Sequence, residues 1–168
     1  MPAPTERNDI RTLAEKIRGI SVAMLTTLDP SGVLHSRPMA TQEFDFDGQL
    51  WFFTKSASAK ADSIRHDQHV NVSYSDPGSN RWVSVAGRAC IVRDRAKIRE
   101  LWSPMLKAWF EGDADDPEIA LICVEVESAQ YWDSPSGPLV ILLGFAKQMI
   151  TGRALEPDQG KKKIDLRH

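Results

Sequence analysis

The sequence predicts a mainly β fold with flanking helices. Three observations carry this: apolar residues recur at every second position in several segments, turn-forming tetrapeptides join a number of them, and only three stretches carry a helical period. Short turns favour antiparallel pairing. Six or seven mostly antiparallel strands of this length close into a β-barrel or pack as a sandwich.

From the N-terminus, Ile10, Leu13, Ala14 and Ile17 keep the spacing of an amphipathic helix. Thr5 or Asn8 can cap its start, and Gly19 suits the position just past its end. Residues 20–28 (ISVAMLTTL) and 33–41 read as strands around the turn Asp29-Pro30-Ser31-Gly32, and residues 49–54 as a third. Asp47-Gly48 signals a tight hairpin between the second and third. A short helix spans 58–66. In 69–75, Val70, Val72 and Tyr74 alternate with Asn71 and Ser73. After Asp76-Pro77-Gly78-Ser79 comes a long strand, 82–92, with Val83, Val85, Gly87, Ala89 and Ile91 on one face. Asp94 can cap another helix, whose face holds Ile98, Leu101, Trp102 and Met105 and continues to Trp109; Pro104 breaks it near Trp102 and Ser103. Residues 111–118 form a solvated acidic loop. Residues 119–132 and 138–151 read as the last strands, joined by Ser134-Pro135-Ser136-Gly137. The remainder, ending KKKIDLRH, reads as a polar, solvated tail.

Composition excludes several functions. The 168 residues suffice for one core without disulfides or metal. Lys and Arg number 21 against 23 Asp and Glu, a net charge of -2, so no basic surface for nucleic acid or anionic membrane is expected. The longest apolar run, 138–145, is too short for a bilayer span. The N-terminus has no apolar signal core, so Cys90 and Cys123 are expected to be reduced, buried thiols in a cytoplasmic protein. No GxSxG, Walker or GxGxxG pattern occurs. His66-Asp67-Gln68-His69 reads as a run of solvent-facing polar side chains rather than a metal site.

One segment invites an anion. Thr54-Lys55-Ser56-Ala57-Ser58-Ala59-Lys60 leaves a strand and enters a helix. A helix start offers unpaired N–H groups and partial positive charge, and Thr54, Ser56 and Ser58 add donors. Lys60, in the first helical turn, opposes the helix dipole unless an anion neutralises it. Alone, the segment also reads as an ordinary Ser cap beside a solvated lysine. With Asp47 and Gly48 as loop residues, Thr41 would lie opposite Thr54 and Arg37 level with Ser58. That register brings a phosphate-matched guanidinium beside Lys60. Pro38 marks an edge, a bulge or a backbone–ligand contact. Trp51, Phe52 and Phe53 add apolar walls or core.

These residues resemble a known family. His35-Ser36-Arg37-Pro38-Met39, Leu50-Trp51-Phe52-Phe53-Thr54 and Ser58-Ala59-Lys60 look like the flavin-binding core of the pyridoxamine 5′-phosphate oxidase-like proteins. Val70 to Ser75, residues 83–89, Trp102, Ala108-Trp109-Phe110 and Tyr131-Trp132-Asp133 resemble its general stress protein 26 branch. The likeness covers residues 7–152, which divides the chain into an N-terminal tail (1–5), one domain (6–152) and a polar tail (153–168). The resemblance implies an FMN-binding split β-barrel and a homodimer with flavin at the subunit interface. It implies that Arg37 and Lys60 hold the FMN phosphate and that Ser58 adds a hydroxyl. Pro38, Met39 and Ala40 would run beside the flavin largely through backbone, with Phe53 and Thr54 lining the groove. Trp132 would reach flavin from the partner subunit. FAD remains open as an alternative to FMN, and haem or a deazaflavin is a less favoured occupant; haem would need His35 or Met39 as axial ligand.

Two departures bear on activity. Trp82 stands where the oxidase has a polar ribityl contact. The stretch Gly137-Pro138-Leu139-Val140-Ile141-Leu142-Leu143 replaces the Arg and His set that grips pyridoxal phosphate in the true oxidase, and it holds no basic side chain. Losing such charge partners in a buried site costs about 2 kcal/mol or more. The expectation is a flavin-dependent oxidoreductase on an unidentified small molecule, or a flavin carrier or sensor with little catalysis, and not a pyridoxamine phosphate oxidase. His35 is the one nearby candidate for a general acid or base, and its strand neighbours make a structural role an equal alternative.

Overall fold

A computed structural model describes residues 4–42, 45–133 and 161–166. The elements run α1 (Pro4–Ile17), β1 (Val22–Leu28), β2 (Leu34–Ala40), β3 (Gln49–Lys55), α2 (Ala59–His66), β4 (His69–Asp76), β5 (Arg81–Val92), α3 (Arg95–Leu101), β6 (Ile119–Asp133) and β7 (Lys161–Asp165). One sheet has the order β2-β1-β4-β5-β6-β3, with β7 also paired to β6, and every pairing is antiparallel.

Strand alternation sorts side chains to two faces. The inner face carries Leu25, Val72, Val83, Val85, Phe52, Ile122 and Val124, joined in one core by Leu13 of α1 and Ile64 of α2. A second, smaller core lies behind β3 and β6. There Phe53, Ile119 and Leu121 meet Ile98 of α3 and Leu106, with Trp102 and Phe110 packed against them.

The strand β6 organises the sheet. Along one edge it pairs with β5 over residues 121–133. Along the other it pairs first with β3, over residues 119–125, and then with β7, over 128–132. Between these halves the register with β5 slips at Ala86/Gly87, which leaves Glu127 without a partner on β5. The Glu127 carbonyl accepts from Leu166 N instead, at 2.7 Å. A Cβ on Gly87 would sit 2.2 Å from the Glu125 carbonyl oxygen, so this bulge requires glycine.

Four expectations are corrected. First, β2 and β3 form no hairpin: β2 pairs with β1, Arg37 opposite Leu25, and β3 pairs with β6, Thr54 opposite Ala120. Gly48 has φ +107° and its carbonyl accepts from Val126 N at 3.0 Å, so the Asp47-Gly48 turn delivers β3 to β6. Second, the C-terminal lysine run is part of β7. Lys162 and Lys163 are exposed, but Ile164 and Leu166 are buried in the main core, and that burial overrides the polar composition. Third, Met105 and Trp109 do not share the inward face of α3. The break at Pro104 does occur: Trp102 ends α3, Ser103 caps a 3₁₀ turn over Pro104–Ala108, and the changed winding turns Met105 and Trp109 outward and Leu106 inward. Fourth, α1 begins ahead of both Thr5 and Asn8, so neither is its cap; Gly19 does take positive φ after its end. Asp94 caps α3 as expected, and of the serines before α2 it is Ser58 that caps that helix. The strand expected over 138–151 lies outside the described residues.

The two edge strands β2 and β3 touch without pairing, so the sheet curls almost into a ring. Thr41 N donates to Ser21 O, at 3.0 Å. By alternation, Met39 and Arg37 then direct their backbone polar groups to β1, and Pro38 directs its nitrogen to the free edge. Pro38 therefore costs the β1–β2 ladder nothing.

If β7 is integral, Ile164→Ala should lower the unfolding free energy by about 2 kcal/mol or more. Urea denaturation checks this; an unchanged midpoint would return the segment to the role of a tail.

Candidate functional site

Arg37 sits on the inner-face row of β2 and is partly buried. Its Nη1 donates to Thr27 Oγ1 at 2.8 Å, and Thr27 is fully buried on β1. That bond fixes the guanidinium at the end of the sheet that α2 covers. The turn into α2 is equally constrained. Ser56 N donates to Glu118 O at 2.8 Å, and Arg65 Nη2 donates to Ser56 O at 2.7 Å. Thr54 and Ser58 share a hydroxyl–hydroxyl bond of 3.0 Å, and Ser58 Oγ accepts from Ala61 N. Lys60 projects from the first turn of this helix, partly buried.

Arg37 and Lys60 thus meet, although not through the expected hairpin. Burial, and then repulsion by the nearby Arg37, hold the Lys60 ammonium below its ordinary range. Burial also pulls Arg37 down. Among the described residues neither cation has a carboxylate partner. Two converging cations with hydroxyls and a helix start can hold a phosphate-like anion.

The other expected residues divide into two groups. Pro38 is exposed on the free edge beside this pair, and Ala40 is partly buried. Met39 points its side chain into the main core, so only its backbone can meet a ligand. Thr54 is buried and serves Ser58. Phe53 faces away, its ring edge-on to Trp102 at 5.5 Å and near Phe110 at 6.3 Å, so its contribution to a groove is its backbone. Trp132 is not brought to this group. It shares a row with Trp82, Ser75, Val22 and Ala40 on the outer face, whereas Arg37 belongs to the inner-face row.

His35, two residues from Arg37, is engaged: its Nε2 lies 3.0 Å from Asp29 Oδ2. Hydrogen bonds from Ser31 and Val33 hold the Asp29 carboxyl far below its usual range. Sequence reasoning missed Thr27, which orients Arg37, and Arg65, which holds the Ser56 turn. Arg65 lies nine residues from Ser56, and Thr27 ten from Arg37, separations that only the fold closes.

A single antiparallel sheet curled almost shut, with a helix over one end, is a split β-barrel. Residues 8–156 match the family described as Pyridoxamine 5'-phosphate oxidase like, and the chain belongs to that family. Within it, the chain is similar to general stress protein 26 of Bacillus subtilis, 32% identical over 110 residues, 63% of this chain and 75% of that protein. It is also similar to protein bli-3 of Neurospora crassa, 33% identical over 154 residues, 86% of this chain and 74% of that one. Among solved structures, a general stress protein 26 from Jannaschia sp. CCS1 superposes with a TM-score of 0.71 over 95% of this chain and 98% of its own; at 23% identity this speaks for the fold alone. A general stress FMN/FAD binding protein from Xanthomonas citri superposes with a TM-score of 0.65 at 29% identity, over 78% of this chain and 92% of its own.

A lysine whose folded pKa lies below its unfolded value opposes folding while it is charged. That cost is present below the folded pKa and disappears as pH rises through the folded and then the unfolded value. At neutral pH, Lys60→Met should therefore raise the thermal midpoint of the free protein. Inorganic phosphate should stabilise the wild type more than this variant. Thermal melts with and without phosphate check both; a Lys60→Met protein that melts lower yet gains equally from phosphate would remove Lys60 from the site.

Proposed function

We propose that this chain binds a flavin, FMN in the first instance, with its phosphate between Arg37 and Lys60. The observation that carries the reading is the pairing of two cations, partly buried and without a carboxylate partner among the described residues, at a hydroxyl-rich helix start. Thr27 would orient Arg37, and the Thr54–Ser58 pair would present a hydroxyl. The backbone of Pro38, Met39 and Ala40 would border the ring system. The flavin, when bound, supplies hydride or electron transfer. The Xanthomonas citri relative, described as FMN/FAD binding, supports the reading. Haem fits less well, since His35 is tied to Asp29 and Met39 lies in the core.

The site is completed by a second copy in this proposal. Trp132 stands on the outer face and Arg37 on the inner-face row, so one chain does not point them at the same site. The outer face that carries Trp132 also exposes Trp82 (40%), Val22 (49%) and Met24 (39%), apolar area that a face-to-face homodimer would remove from water. We infer a flavin-dependent oxidoreductase for a small molecule that lacks the phosphate-bearing pyridine of the true oxidase's substrate. A carrier or sensor role is the second reading, favoured by the absence of basic side chains from 137–143, residues outside the described structure.

FMN titrated against tryptophan fluorescence should quench saturably at one flavin per subunit, in a protein that sediments as a dimer. Arg37→Ala with Lys60→Ala should weaken FMN binding at least a hundredfold while the fold survives; unchanged affinity would refute the phosphate assignment. Pyridoxine phosphate offered to the FMN-loaded protein should turn over negligibly. Turnover at the rate of a genuine oxidase would overturn the substrate argument. Bleaching of bound flavin by NADH or NADPH, and its return with an acceptor, would favour the enzyme over the carrier.

A further inference from the structure

The sequence reads Cys90 and Cys123 as reduced, buried thiols with no CxxC motif to pair them. They are instead direct cross-strand partners, Cys90 on β5 opposite Cys123 on β6. Cys90 is exposed and Cys123 is buried. Ala89 N donates to Gln68 O at 2.7 Å, so Ala89 directs its backbone to the β4 side and Cys90 directs its own to β6. On β6, Val126 N donates to Gly48 O, so alternate residues 126, 124 and 122 face β3 and Cys123 faces β5. Cys90 and Cys123 therefore form a hydrogen-bonded pair, whose Cα atoms lie about 5.5 Å apart, in the middle of the span that a disulfide bridges. Directly opposed residues of neighbouring strands point to the same face of the sheet, so the two thiols stand side by side.

We propose that Cys90 and Cys123 form a reversible thiol–disulfide modification site, oxidised by a peroxide and closed within one chain. The proposal does not rest on flavin binding. Burial pushes the Cys123 thiol up to about 12, with Cys90, Asp47 and Glu125 adding to the shift. Cys123 is thus a poor first nucleophile, and the exposed Cys90 takes that role.

In the first step the Cys90 thiolate attacks one oxygen of hydrogen peroxide. An S–O bond forms, the O–O bond breaks, and hydroxide leaves to become water. The Cys90 sulfur, oxidised by two electrons, is then a sulfenic acid. In the second step the Cys123 sulfur gives up its proton and attacks the Cys90 sulfur. The S–S bond forms, the S–O bond breaks, and the oxygen leaves as a second water. Two thiols and one peroxide give one disulfide and two waters. The Cβ atoms of a paired site are ~4.5–5.5 Å apart and those of a disulfide ~3.5–4.5 Å, so closure draws β5 and β6 together by about 1 Å. The staple lies two residues before Val92, where β5 leaves the sheet toward α3.

The test treats the reduced full-length protein with hydrogen peroxide and reads intact mass, alkylatable thiols and mobility on a non-reducing denaturing gel. The expected product has lost two hydrogen atoms, offers neither thiol to alkylation after denaturation, runs as a monomer and reverts with dithiothreitol. Cys123→Ser should instead stop at a Cys90 sulfenic acid that dimedone traps. Cys90→Ser, at an exposed position, spares the fold and should leave Cys123 unoxidised under the same treatment. The proposal fails if wild-type Cys90 oxidises while Cys123 stays alkylatable, if the disulfide links two chains, or if neither thiol is consumed.

Discussion

The rest of the structure depends on how one long strand divides its hydrogen bonds. Each backbone group of β6 has one direction to donate or accept, and a fifteen-residue strand in a small sheet cannot keep a single straight partner on both sides. β5 occupies one edge from Leu121 onward, and the other edge passes from β3 to β7 where Glu127 is left over. That extra residue bends the strand, and the bend curls a flat sheet toward closure. The close approach of Glu125 to Gly87 leaves no room for any side chain there. A change at Gly87 would therefore reach every strand that β6 supports, including β3 and the helix start that follows it.

The placement of the site follows from that division. Because β3 is held by β6 and not by β2, its end delivers α2 to the far side of β1, above Arg37. The two cations meet across the mouth of the curl, each oriented by buried hydroxyls or turns, and each pulled from its ordinary pKa by burial. Such a pair is electrostatically unfavourable in the free protein. The fold sustains it through its cores, and an anion would convert the repulsion into attraction on both sides. This is the common pattern in which a binding site is less stable than its surroundings.

Much of this was legible in the sequence, and the failures have identifiable causes. Alternation placed β1, β4 and β5 well because each buries one face, so a one-residue shift would reverse every side chain. Asp94 caps α3 as expected, and Ser58 caps α2, because their short side chains reach only the next few amides. Pairing partners were harder. Asp47-Gly48 carries the composition of a hairpin, but turn composition sets a local bend, and whichever long strand offers free backbone groups then takes the pair. Lys161-Lys162-Lys163 hid β7 because the residues that hold it, Ile164 and Leu166, lie beyond the charges. Arg37 and Lys60 were named together through a register that does not exist. They meet because β3, held by β6, carries the start of α2 to the inner-face row of β2.

Pro38 has a further consequence. An open sheet edge is a template on which another chain can build, and repeated addition gives filaments. Pro38 places its nitrogen on the outward edge of β2, so an incoming strand would find a gap in the donor row and a ring in its path. The interruption lies outside the ladder with β1, where it costs the monomer no hydrogen bond. Pro38 thereby works against edge-to-edge polymerisation of this chain.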